Sequence, residues 1–265
     1  LQVDWENRRA RFLLGGDLPK DADTVTVAID TRTHFPFVDI EACGIPVKAL
    51  LDTGSDSDIH LAPEREKLWE CAAPVRSDIR SIGAGGPVIS GLASLPSVRI
   101  GRRPMGPATA SIDPEGGPLS NRGIPASIGT GLLRRSNFVL DAGNSALAFY
   151  GSDRTARVTD RPRIGIQYRP DGKGLLITHI MKASPASQTI LKPGDRICAL
   201  NGRTIEALAG KYGDISPPVG KIARVGVCAG PTVSILASDY LAFPGVPDIA
   251  FPAGTPAVPE PAGVG

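Results

Sequence analysis

The chain lacks the groups that would point to several common functions. It has only three histidines (His34, His60 and His179), scattered along 265 residues, and four cysteines, none in a Cys-x-x-Cys spacing. That pattern indicates no metal site, and nothing points to a cofactor. Charge of one sign is missing as well: 29 Lys and Arg against 27 Asp and Glu leave a net +2. Arg102-Arg103 and Arg134-Arg135 read as isolated pairs at solvated loop or helix ends, so no nucleic-acid footprint is present. No apolar run reaches the length of a membrane span. What remains is a chain with 42% hydrophobic residues, enough to bury two small cores.

Leu50-Leu51-Asp52-Thr53-Gly54-Ser55 is the most informative segment. Phe35 to Ile40 reads as a strand, Cys43-Gly44 as a tight turn, and Ile45 to Leu51 as a return strand that delivers Asp52 at its end. A carboxylate that activates water needs such a rigid base and a second carboxylate to control its ionisation. Gly54 allows the sharp turn that brings an N–H toward the carboxylate, while the Thr53 and Ser55 hydroxyls are expected to brace the loop. The triplet alone is weak, since Asp-Ser/Thr-Gly arises by chance in roughly one in eight chains of this length. Its surroundings add to it. Ser57 to Leu61 leads to Pro63-Glu64, where a short helix is expected to begin and run to Glu70. Gly83-Ala84-Gly85-Gly86, between extended stretches, suits a mobile hairpin tip. Ile128-Gly129 and Leu132-Leu133 precede a strand pair over Phe138 to Tyr150.

In this order, residues 24–150 resemble the retropepsin-like aspartic proteases of bacteria. The resemblance implies a mainly β, acid-protease barrel with Asp52 as catalytic residue, supported by Thr53, Gly54 and Ser55. It also implies a substrate-covering flap at Gly83, Ala84, Gly85 and Gly86. Asp141-Ala142-Gly143 reads as a turn between strands rather than a second catalytic triplet, because the interval from Asp52 is too short for a second lobe. With one catalytic Asp per chain, the second must come from another copy, so a homodimer is expected.

From Arg163 onward the pattern changes. Arg163-Ile164-Gly165-Ile166 is expected to begin a strand, Gly174 to Ile180 is a second, Ser184-Pro185-Ala186-Ser187 opens a short helix, and Leu191 to Arg203 gives turn, strand and turn. The order resembles a PDZ domain of bacterial envelope proteases, spanning 151–243. That resemblance implies strand addition of a peptide whose terminal carboxylate meets the loop Arg163, Ile164, Gly165 and Ile166, with Arg163 as a nearby cation. Ser216-Pro217-Pro218 departs from it by stopping the groove helix early.

Residues 1–23 form a leading arm in which Ala10 to Leu14 is expected to pair as a strand and Trp5 to act as an anchor. Residues 244–265 form a proline-rich tail, either extended or placed in a neighbouring groove. Cys43 and Cys71 lie in the first domain and Cys198 and Cys228 in the second; within-domain disulfides and buried free thiols both remain open. His60 is expected to be a surface or packing residue. Together the resemblances imply a periplasmic or otherwise exported dimeric endopeptidase acting on protein substrates. The alternative is a catalytically silent scaffold that presents a PDZ groove.

Overall fold

A computed structural model describes residues 1–63, 77–83, 85–151, 162–208 and 217–241. The short helix expected from Pro63 to Glu70, Ala84 and the proline-rich tail therefore fall largely outside the described residues. These residues divide into two compact units, one up to Gly151 with Leu241 and one over 162–240.

The first unit is built of strands. They begin with β1 Gln2–Asp4, β2 Arg9–Arg11, β3 Asp23–Ile29, β4 Pro36–Ala42, β5 Ile45–Leu51 and β6 Ile59–Leu61. They continue with β7 Ser77–Gly83, β8 Gly86–Ile100, β9 Arg103–Ile112, β10 Ala126–Ile128, β11 Asn137–Asp141 and β12 Ala146–Tyr150. Alternation specifies β4 and β5. Val38, Ile40 and Ala42 face Val47, Ala49 and Leu51 in the core, while Asp39, Glu41 and Lys48 point to water. Cys43 and Gly44 join these strands as a two-residue turn, with φ of 55° and 78°. Positive φ at both positions suits the right-handed strand twist.

The strands β4-β5-β10-β6-β9-β8 form a ring, because β8 pairs with both β9 and β4. Pro96 explains how one strand serves both neighbours. The β8–β9 register shifts between Leu95 and Val98, where proline cannot donate to the ladder, and the bend carries Val98 to Ile100 onto Ala42 to Ile40. Leu95, Val98, Ile100, Ala110 and Ile128 fill the barrel interior.

The arm differs from expectation. Its strand is Arg9–Arg11, paired with Gln2–Asp4, whereas Phe12, Leu13 and Leu14 lie beyond it and are exposed. Trp5 packs against the core, and its backbone N–H donates to Asn137 Oδ1 at 2.8 Å, which anchors the arm as the sequence indicates.

The second unit contains β13 Ile166–Asp171, β14 Gly174–Ile180, β15 Arg196–Leu200, β16 Arg203–Thr204, β17 Ile222–Val227 and β18 Thr232–Leu236. The sheet order is β13-β14-β15-β17-β18, with β16 paired to β15, so β13 is an edge strand among the described residues. Ser184 caps the turn Pro185–Gln188 by accepting from the Ser187 N–H. Asn201 and Gly202, both at positive φ, turn the chain from β15 into β16. A helical turn, Ile205–Leu208, follows. Cys198 and Cys228 form a disulfide within this unit. Cys43 in the first unit is also disulfide-bonded.

Candidate functional site

Asp52 lies one residue beyond β5, which the hydrophobic alternation of Ile45–Leu51 locks into the barrel. Its N–H donates to the Ile128 carbonyl at 3.0 Å, and the Gly54 N–H donates to Asp52 Oδ1 at 2.9 Å. That hydrogen bond fixes the direction of the carboxylate. Asp52 is half-buried, whereas Thr53 and Gly54 are exposed.

The rest of the loop is braced from two sides. Ser55 Oγ and Ser57 Oγ share a hydrogen bond of 2.7 Å, and the Ser57 N–H donates to Ser55 Oγ at 3.3 Å. The Thr53 hydroxyl has no partner among the described residues, so the bracing expected of it is supplied elsewhere. Thr130 supplies it: its N–H and its hydroxyl both donate to the Ser55 carbonyl, each at 2.8 Å. Gly129 and Gly131 donate to the carbonyls of Asp58 and Ser57, both at 3.1 Å. Neither glycine has room for a side chain. A Cβ on Gly129 would stand 2.8 Å from the Ser55 carbonyl oxygen, and one on Gly131 2.7 Å from those of Asp56 and the Asp58 carboxylate. The segment Ile128–Leu133 thus backs the Asp52 loop, with β10 running parallel to β5.

Beneath the loop lies a feature that sequence reasoning missed. Arg135, expected to be solvated, is 2% exposed and pairs with buried Asp58 at 2.8 Å. The only sequence signal is its setting, an arginine between Leu132-Leu133 and Phe138. A charge so placed must be paired.

His60 is half-buried on β6, in register with Ser127 of β10 and Ser111 of β9. Burial pushes its imidazole below the usual value, while the negative charges of Asp113, Asp52 and Asp56 act in the opposite direction. Asp113 is itself buried and accepts from the Leu119 N–H at 3.0 Å and the Ser90 hydroxyl at 3.3 Å. His60 thus sits as a half-buried residue of the sheet, within reach of the charge on Asp113 and, more weakly, on Asp52 and Asp56.

Asp141 plays a different part. Asn144 donates to it through both its side chain at 2.8 Å and its backbone at 3.1 Å, and these bonds hold the Asp141 carboxyl below the usual range. It ends β11 and opens the turn into β12, as its sequence pattern indicates. The glycine-rich segment forms a hairpin tip, with Gly83 opposite Gly86 and Ile82 exposed. Only Gly86, at φ 97°, has a backbone that demands glycine; Gly83 and Gly85 stand in open space.

In the second unit, Arg163, Ile164 and Gly165 precede β13, which starts only at Ile166. Their backbone is tied down. The Arg163 carbonyl accepts from Ser238, the Ile164 carbonyl from Ala186 and the Gly165 carbonyl from Met181. Gly165 has φ 78°, and a Cβ there would run into Ser184. Arg163 is not the available cation the sequence suggested: it pairs with Asp239 at 3.1 Å, and both side chains are largely buried.

No group of three His, Cys, Asp or Glu among the described residues has the arrangement to hold a metal ion. No helix among them is long and apolar enough to cross a membrane.

Residues 162–214 match the family model described as a PDZ domain. A crystal structure of a retropepsin-like aspartic protease from Rickettsia conorii is 18% identical, with 49% of this chain and 90% of that chain covered and a TM-score of 0.34. No curated protein matches the chain.

Proposed function

We propose that the chain is an aspartic endopeptidase of retropepsin-like type, active as a homodimer. The observation that carries this reading is the Asp52 carboxylate, held by the Gly54 N–H on a loop pinned from behind by Ile128 and Thr130. That arrangement is half of a two-carboxylate site. A two-fold dimer supplies the other half, with Asp52 of each copy facing the other. Two carboxylates that close cannot both ionise, so they share one proton. The ionised one takes a proton from water as the water oxygen attacks the scissile carbonyl carbon; the protonated one gives its proton to the carbonyl oxygen. The tetrahedral diol then collapses: the carboxyl that took the water proton gives it to the amide nitrogen, the other carboxylate takes a proton from a diol hydroxyl, and the C–N bond breaks to release the acid and the amine.

The hairpin tip at Gly83, Ala84, Gly85 and Gly86 would close over the substrate and exclude water. In the second unit, an extended peptide would add as a further strand alongside β13, at the edge of the described sheet. The PDZ match supports peptide binding there, and recruitment of a substrate or regulatory chain end is the role it would serve. An exported, envelope location is part of the proposal, and the Cys198–Cys228 disulfide suits an oxidising compartment.

The test is cleavage of a broad peptide library by the full chain and by Asp52→Asn. The wild type should cleave, and Asp52→Asn should be inactive while melting at the same temperature. Activity should fall more steeply than linearly once dilution takes the protein below its dimer dissociation constant, measured by sedimentation on the same samples. Equal cleavage by Asp52→Asn, or full specific activity in a monomer, would sink the reading.

A further inference from the structure

We propose that the buried pair Asp58–Arg135 is the device that positions the Asp52 carboxylate, an inference that rests on the peptidase reading above. Asp58 is where the loop opened by Asp52 rejoins the sheet, one residue before β6. Arg135 stands two residues beyond the Thr130–Leu133 turn that backs the loop. Both arms of its guanidinium are engaged. Nη2 donates to Asp58 Oδ2 at 2.8 Å, and Nη1 donates to the carbonyls of Met105 at 2.6 Å and Pro107 at 2.5 Å on β9. Asp58 Oδ2 also accepts the Thr109 N–H at 2.9 Å. The side chains are 1% and 0% exposed.

Three segments therefore meet at one fork: the barrel strand β9, the end of the Asp52 loop and the turn behind it. The loop has no freedom to shift independently, because Gly129, Thr130 and Gly131 donate to Asp58, Ser55 and Ser57 within it. Moving Arg135 moves Thr130, and Thr130 holds the Ser55 carbonyl three residues from Asp52. Stability does not account for such a pair. Taking two charges out of water is so unfavourable that an apolar pair of similar volume is often at least as stable. A planar, bidentate fork provides what an apolar pair does not, a fixed direction relative to several acceptors at once. Neither residue touches substrate; both act through the loop.

Two full-length variants test this. Arg135→Lys keeps the charge but loses the fork. The double variant Asp58→Asn/Arg135→Gln removes both charges yet leaves an amide oxygen for the Thr109 N–H and an amide NH₂ for the β9 carbonyls. Peptide cleavage is measured beside wild type and Asp52→Asn, with competent sites counted by titration with a hydroxyl-bearing peptide isostere, so that unfolded chains do not enter kcat. Positioning predicts that kcat per counted site falls about a hundredfold in both variants with KM unchanged. Wild-type kcat in either folded variant overturns the proposal. So does failure of Arg135→Lys to fold, which would make the pair a structural requirement alone. If wild type does not cleave, or Asp52→Asn cleaves equally well, the peptidase reading itself has failed and the positioning role falls with it.

Discussion

The backbone N–H of Asp52 donates to the carbonyl of Ile128 across 3.0 Å, so the carboxylate at the tip of β5 takes its place from a strand far along the chain. The contact depends on two glycines with no side-chain space, Gly129 and Gly131.

Gly129→Ala should therefore injure the site directly. Its new methyl would press on the carbonyl oxygens of Ser55 and Ser57, and relief requires the loop to move. We expect a loss of about 1–3 kcal/mol in chemical denaturation, typical of overpacking, and a larger proportional loss in peptide cleavage. Unchanged cleavage by the folded variant would show that the Asp52 loop tolerates displacement.

At the hairpin tip, position matters more than composition. Gly86→Val forces a β-branched residue to φ 97° and should lower stability by about 1–2 kcal/mol. Gly85→Val meets open space and should leave the melting temperature unchanged, yet slow turnover if the tip must flex over substrate. Thermal melting and steady-state kinetics on both variants separate the two effects. Normal turnover in Gly85→Val would make the tip a plain turn.

His60 gives a pH dependence whose sign is fixed. Burial lowers its folded pKa below the ordinary 6.5, so in the window between the two values the unfolded chain binds more protons than the folded one. Stability then falls as pH drops through that window, and the contribution fades as pH rises above it, where the unfolded imidazole also loses its proton. His60→Gln should flatten this part of the curve. Melting temperatures of both proteins between about pH 8 and about pH 5 check it; parallel curves would show that His60 is not a source of the slope.

Much of the local structure was legible in the residues themselves. Ile45–Leu51 alternates cleanly, Cys43-Gly44 and Asn201-Gly202 turn where small or turn-forming residues stand at positive φ, and Asp141 with Asn144 makes a turn from its own side-chain hydrogen bonds. The start of β13 was less legible. Arg163 to Gly165 carry the apolar pattern of a strand, but their carbonyls are claimed by Ser238, Ala186 and Met181, which leaves the ladder to begin at Ile166. The arm shows the same limit. Phe12, Leu13 and Leu14 have strand-forming side chains, yet only Arg9–Arg11 lies opposite a partner strand.

By itself, then, the sequence determined a mainly β chain in two units, a carboxylate at a strand end and the turns around it. Those features follow from side-chain periodicity and the steric limits of a few backbone positions, which act within several residues. Tertiary structure alone decided that the bend at Pro96 closes the barrel, that Arg135 turns inward to Asp58, and that Arg163 is claimed by Asp239. A charged side chain carries no mark of whether water or a buried carboxylate will meet it. The outcome depends on the desolvation and pairing that distant strands impose once they have packed.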